Sequence, residues 1–191
     1  ASLGKKVLIV SIDDQNSIFE MFGKSSEVFN REDNYIEHLL TESISIDEAL
    51  IEMRPNIDGI KTLNIDMLSK KLTLERAFEK QFVNLIEEFK SRYDYVFVDL
   101  PPSSNRTSEI ILELCNHIIL IVELNKLGVN GFYNTLQYFV DSGIELDKIR
   151  YVLPNGFSKM KSVPSVALEE IVTITKDNLQ NAIVLKPIPE K

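Results

Sequence analysis

Residues 6–12, KVLIVSI, form a near-continuous apolar run rich in β-branched side chains, the pattern of a parallel strand covered on both faces. Ser45 and Glu48 make a capping-box pair ahead of IDEALIEM, so a short helix is expected from about Ile46, with Pro55 limiting its extension. IDGIKTL, residues 57–63, reads as the next strand. Leu74, Phe78, Phe82, Leu85, Ile86 and Phe89 recur at helical spacing and predict an amphipathic helix that feeds into the strand YDYVFVD, residues 93–99. The alternation continues with a helix near 107–115, strand 117–123, helix 129–141, strand 149–154, helix near 165–174 and strand 182–186. Pro101 and Pro102 cannot donate ladder hydrogen bonds, so the strand YDYVFVD stops at Asp99, and Gly143 suits a helix carboxyl-terminal cap. The whole predicts one α/β domain, residues 1–191, with a mostly parallel sheet flanked by helices.

In an open α/β sheet, ligands bind at the carboxyl ends of the strands, and three such ends carry polar chemistry. Asp99 follows VFV and precedes LPPS. An acid there can hold a magnesium-bound water beside phosphates, or it can simply accept backbone hydrogen bonds at a strand end. Ser11-Ile12-Asp13-Asp14-Gln15 ends the first strand. Adjacent carboxylates repel and point apart, so one of the two acids is aimed at a ligand if either is. Asp13 suits an attacking water or a magnesium ion, Gln15 a hydrogen bond across a phosphate, and a solvated turn is the plain alternative. The third end is Val152-Leu153-Pro154-Asn155, where the Asn amide either reads a purine edge or forms a turn.

Taken in order, these segments resemble the ParA/MinD group of deviant-Walker P-loop ATPases, most closely the ParA-type partition proteins. KKVLIVSIDDQNS resembles the family's GKKVLLIDLDPQGS segment, and YDYVFVDLPPS resembles its YDYIIIDTPPS Walker B segment. LLTESISIDEAL, the Gly131 of LGVNGFYNTL, VLPN and KPIP resemble its later helix, its helix-start glycine, its base-contacting loop and its Ile-Pro turn. The resemblance implies a P-loop NTPase fold of the SIMIBI type that binds ATP or ADP with Mg2+. It makes Asp99 the Walker B acid at the metal, and Asp13 the switch acid near both metal and attacking water. Asn155 would contact adenine, with Pro187, Ile188 and Pro189 near the base. The implied function is DNA, plasmid or chromosome partitioning by a cytoplasmic ATPase. Its nucleotide-dependent homodimer would bind DNA non-specifically and be stimulated by a centromere-binding ParB-like partner.

Ser11, Asp14 and Asn16 stand where the family usually has Asp, Pro and Gly. The family's glycine-rich loop with its two lysines belongs some two dozen residues before this strand, and the sequence opens at Ala1. Neither carboxylate can replace the backbone N–H groups of such a loop. The first strand and phosphate loop are therefore expected to be missing, with the chain truncated at its amino terminus; truncation at its carboxyl terminus, where KPIPEK reads as an interior turn, is a further expectation. A second expectation is a degenerate, non-hydrolysing interaction module; a MinD-like positioning ATPase and a related tyrosine kinase are minor ones.

Composition narrows the partners. Of the formal charge of −8, residues 1–52 carry 11 acidic and 4 basic side chains, so the amino-terminal face is a poor direct partner for DNA. Lys148, Arg150, Lys159 and Lys161 are the candidates for a basic patch, or are ordinary solvated charges. The single cysteine, Cys115, permits no disulfide framework or Cys-based zinc site and is expected to be buried. His38 and His117 have no ligand spacing. No run approaches the roughly 20 apolar residues of a membrane span, and no basic amphipathic anchor helix is read before Lys191.

Overall fold

The computed structural model describes residues 3–13, 15–24, 34–102, 105–158 and 162–190. Asp14, Ser103, Lys159 and Lys161 lie outside them. The chain divides into two compact units, Ala1–Leu114 and Cys115–Lys191, and both are α/β.

In the first unit the strands are β1 (Val7–Ser11), β2 (Ile51–Arg54), β3 (Ile57–Ile60) and β4 (Tyr95–Asp99), in the order β2-β3-β1-β4. β1 pairs in parallel with both β3 and β4, and only β2 runs antiparallel. The helices are α1 (Ser17–Met21), α2 (Ile36–Leu40), α3 (Ile46–Ala49), α4 (Ile65–Leu74), α5 (Arg76–Arg92) and α6 (Arg106–Leu114). Leu8, Val10 and Ile60 of the sheet pack with Phe82, Leu85 and Phe89 of α5 in one core. Each of those aromatic rings contributes about 2–3 kcal/mol by its burial. A smaller cluster of Phe19, Ile51 and Met53 covers the other face near β2.

The capping box forms as expected: the Ser45 N–H donates to Glu48 Oε2 at 2.7 Å. The helix it starts is a single turn, however, and Ile51–Arg54, expected to be helical as far as Met53, is a strand with Ile51 and Met53 buried and Glu52 and Arg54 exposed. Pairing with β3 through the Pro55-Asn56 turn, where Asn56 has φ 63°, overrides the local helical pattern. Leu74 is also reassigned: it is the exposed last residue of α4, and Glu75, in extended backbone, separates α4 from α5. The expected strand 57–63 ends at Ile60.

The second unit holds β5 (Ile118–Glu123), β6 (Ile149–Phe157), β7 (Ile183–Val184) and β8 (Ile188–Pro189). β6 pairs in parallel with the other three. α7 (Lys126–Asp141) and α8 (Ser162–Asn178) flank them. Gly143 follows α7 with φ 71°, the left-handed cap foreseen for it. Cys115 is half-buried rather than buried.

Each sheet has an open edge. Among the described residues no strand pairs with the outer side of β4 or of β5. On β4, Val96 and Val98 face the core, whereas Tyr95 and Phe97 are 54% and 51% exposed and stack with ring centroids 6.4 Å apart.

The glycine at the start of α7 that meets backbone is Gly128, not Gly131. A Cβ on Gly128 would overlap the Glu123 carbonyl oxygen, while one on Gly131 meets nothing within 4 Å. Gly128→Ala is therefore expected to lower stability by about 2–4 kcal/mol through backbone overlap. Gly131→Ala should raise it by about 0.5–1 kcal/mol through helix propensity, both read from urea unfolding.

Candidate functional site

The parallel register of β1 and β4 sets Ser11 opposite Asp99, and the Ile12 N–H donates to the Asp99 carbonyl at 2.9 Å. Asp13 lies two residues beyond β1, and Asp99 ends its own strand, so both acids stand at one carboxyl edge of the sheet. Asp13 Oδ1 accepts from the Gln15 N–H at 3.0 Å, and the Asp13 carbonyl accepts from Ser11 Oγ at 3.1 Å and the Asn16 N–H at 3.0 Å. Gln15 thus meets Asp13 through its main chain.

Asn16 explains one departure from the family pattern. Its φ is 49°, left-handed backbone that glycine adopts freely and asparagine tolerates better than most residues. Its amide is used as well: Nδ2 donates to the Thr62 carbonyl at 2.9 Å, and Oδ1 accepts from the Thr62 N–H at 3.3 Å. Thr62 Oγ1 donates to the Ser11 carbonyl at 2.7 Å. Ser11, Asn16 and Thr62 are all buried, so a polar clamp ties the Asp13 turn to the end of β3. Sequence reasoning passed over Thr62; its place just beyond an apolar run was the only signal. Ser11 is fully buried, and an aspartate there would bring a third carboxylate toward Asp13 and Asp99.

The carboxyl of Asp99 is held above the ordinary carboxylate range, first by the protein crowding it away from water and second by the negative charge of Asp13. Two carboxylates at one strand edge, the charge of one raising the proton affinity of Asp99, suit a divalent cation, which magnesium sites typically hold through one or two carboxylates plus phosphate oxygens. Among the described residues no group of three or more His, Cys, Asp or Glu side chains forms a self-sufficient metal cage.

A Gly-Lys-Ser triplet does occur, Gly23-Lys24-Ser25, but it is no phosphate loop. Ile18 stands where the upstream glycine of G-x-x-x-x-G-K-[ST] belongs. Gly23 has φ 71°, its N–H donates to the Glu20 carbonyl, and the Lys24 N–H donates to the Phe19 carbonyl, each at 2.9 Å. Both amides cap α1, the pattern of a Schellman turn.

In the second unit the structure brings Asn155 beside Ile188 and Phe157 beside Pro189 through the β6–β8 register. The Asn155 carbonyl accepts from the Leu124 N–H at 2.8 Å. A cleft of about 340 Å³ opens there, lined by Asn155, Asn125, Leu124, Pro164, Glu123 and Glu190. Pro187 lines a different cleft, with Leu168 and Leu179.

Because Asp99 holds its proton more tightly folded than unfolded, it detracts from stability as pH rises out of the ordinary carboxylate range. Asp99→Asn removes that effect. Its melting temperature relative to the parent should be higher near pH 7 than at about pH 3, where both states carry the proton. Thermal melts of the two proteins across this range check the sign.

Comparison with known proteins bears on family and fold. Residues 1–147 match the AAA_31 family, described as an AAA domain. An uncharacterized protein of Methanocaldococcus jannaschii is 25% identical over 181 residues, covering 90% of this chain and 69% of its own length. A ParA family protein of Mycoplasma pneumoniae is 23% identical over 158 residues, covering 76% and 57%. Across the curated relatives, the chain spans 44% to 69% of their length. A plasmid partition protein of Borrelia burgdorferi superposes with a TM-score of 0.77 at 23% identity, over 100% of this chain and 79% of that one. A cobyrinic acid a,c-diamide synthase of Mycobacterium smegmatis, solved with bound ADP and magnesium, superposes with a TM-score of 0.77 at 17% identity, over 100% and 76%. The chain belongs to the AAA_31 family of AAA domains, and its α/β fold is that of the ParA/MinD-type P-loop proteins.

Proposed function

We propose that this chain is the greater part of a ParA-like ATPase switch for DNA, plasmid or chromosome partitioning. Asp99 orients a magnesium ion and Asp13 serves both that ion and the attacking water, with Gln15 beside the phosphates. The ion's contribution when bound is to neutralise charge on the transferring phosphate. Asn155, with Ile188 and Pro189, contacts the base, and Pro187 supports that turn. ATP binding drives formation of a homodimer that holds DNA non-specifically, a ParB-like partner stimulates hydrolysis, and ADP leaves the protein monomeric.

The observation that carries this reading is that Asp13 and Asp99 stand at one carboxyl edge, where Ser11 pairs with Asp99 and the charge of Asp13 acts on the Asp99 carboxyl. The backbone amides that cradle the phosphates come, in this reading, from a strand and loop seated against the open edge of β4, next to Asp99. One observation favours a second reading, an interaction module without hydrolysis: Ser11, fully buried at the end of β1, stands where the family usually has Asp.

Titration with Mn2+, followed by amide line broadening, is expected to act first on the signals of Asp13, Gln15 and Asp99, and Asp99→Asn should abolish the effect. Broadening confined to other residues would sink the metal assignment. Calorimetry with Mg2+-ATP separates the two functional readings. Micromolar binding by this chain alone counts against the interaction module, whereas no binding even with a strand-and-loop peptide supplied counts against the ATPase.

A further inference from the structure

A cleft of about 570 Å³ lies in the first unit between the α2–α3 connection and α5, and none of the proposed nucleotide-site residues lines it. Its floor is apolar, formed by Leu39, Leu40, Ile46 and Leu85, all buried or nearly so. Its rim is polar, formed on one side by Glu42 and on the other by Gln81, Asn84 and Glu88 of α5.

Two features of that rim are not needed for packing. The first is Glu42, which holds left-handed backbone with φ 54°. It occupies the residue after the helix cap in a Schellman turn: the Glu42 N–H donates to the Leu39 carbonyl and the Ser43 N–H to the His38 carbonyl, each at 3.0 Å. Glycine is the residue this position favours, since a side chain there crowds the backbone. A carboxylate kept at a backbone penalty, on the lip of a cleft, points to use of that carboxylate.

The second is the pair of amides. Gln81 and Asn84 are exposed, one helical turn apart, and line the cleft with no hydrogen-bond partner among the described residues. Side chains at this spacing are roughly 5–6 Å apart at Cβ, close to the roughly 6.6–6.8 Å between alternate residues of an extended chain. Each amide offers a donor and an acceptor together, the complement of the N–H and C=O of a peptide backbone.

Charge selects the sequence of the occupant. Glu88 is already partnered by Arg92 at 2.7 Å, and Arg92 also by Asp47 at 3.2 Å, so the cation of this wall is neutralised. Glu42, together with Glu88 and the Asp47 that pairs with Arg92, outnumbers that single cation and leaves the cleft negative. We propose that it receives an extended, lysine- or arginine-bearing segment of a partner protein, its main chain read by Gln81 and Asn84, its apolar side chains by the floor and its basic side chain by Glu42. This site stands whether or not the chain handles nucleotide.

The probe is a fluorescein-labelled octapeptide alternating Lys and Leu, measured by anisotropy beside a Glu-Leu counterpart. The Lys-Leu peptide should bind and the Glu-Leu peptide should not. Glu42→Gly relieves the left-handed strain, so it should raise the melting temperature while weakening the peptide about tenfold, as loss of a charge-assisted hydrogen bond does. Asn84→Ala, a change without charge, should weaken it about fivefold. Hydrogen exchange should show protection at residues 38–46 and 81–92. Unchanged affinity in both variants, equal binding of the two peptides, absence of binding, or protection elsewhere would each overturn the proposal.

Discussion

The first unit hangs on the parallel pairing of β1 with β3 on one side and β4 on the other. Parallel pairing forces every carboxyl end to one edge, so the turn after β1, the end of β3 and Asp99 meet without any long-range design of their own. The register completes the effect. A slip of one residue would turn Leu8 and Val10 out of the core and Asp99 away from its neighbour. The buried pattern of β1, covered on both faces, makes that slip expensive.

The polar groups at this edge are secured by a different means. Ser11, Asn16 and Thr62 are buried, yet their side chains are hydrogen-bonded to main-chain groups rather than to one another. Unmet, each buried group would cost about 1–3 kcal/mol. Met, they fix a turn that has no apolar residue of its own to anchor it except Ile12. Asp13 is therefore positioned by backbone geometry, its Oδ1 accepting from the Gln15 N–H. The arrangement keeps both carboxylates at one sheet edge, close enough for the charge of Asp13 to raise the proton affinity of Asp99.

Much of this was legible in the sequence. YDYVFVD announced a strand ending in an acid because Pro101 and Pro102 forbid its continuation, and KVLIVSI announced a buried parallel strand because it has no polar face. The elements that went unread are those where local pattern and tertiary pairing disagree. Ile51–Arg54 continues a helical pattern from Ile46 and becomes a strand only because β3 is there to pair with. Glu75 breaks two helices with neither Gly nor Pro. At the site, Asp13, Gln15 and Asp99 could be named from residue type and place. The clamp by Asn16 and Thr62 could not, because 46 residues separate the partners and nothing in either neighbourhood marks them as a pair. The Gly23-Lys24-Ser25 triplet, by contrast, is told from a phosphate loop by sequence alone, since Ile18 stands where the upstream glycine belongs.

The sequence distance between β1 and β4 has a bearing on how the chain is made. Ser11 pairs with Asp99, 88 positions later, so a ribosome must deliver all of the intervening chain before the strand at the centre of the first sheet gains its second neighbour. Until then one side of β1 is open and apolar, and contacts this distant close slowly against chain entropy. During that interval the antiparallel hairpin of β2 and β3, joined by two residues, is the quickest sheet structure available. The nascent first unit would then grow outward from its most local pairing, with β4 the last strand to arrive and its far edge the last surface of the sheet to meet whatever covers it.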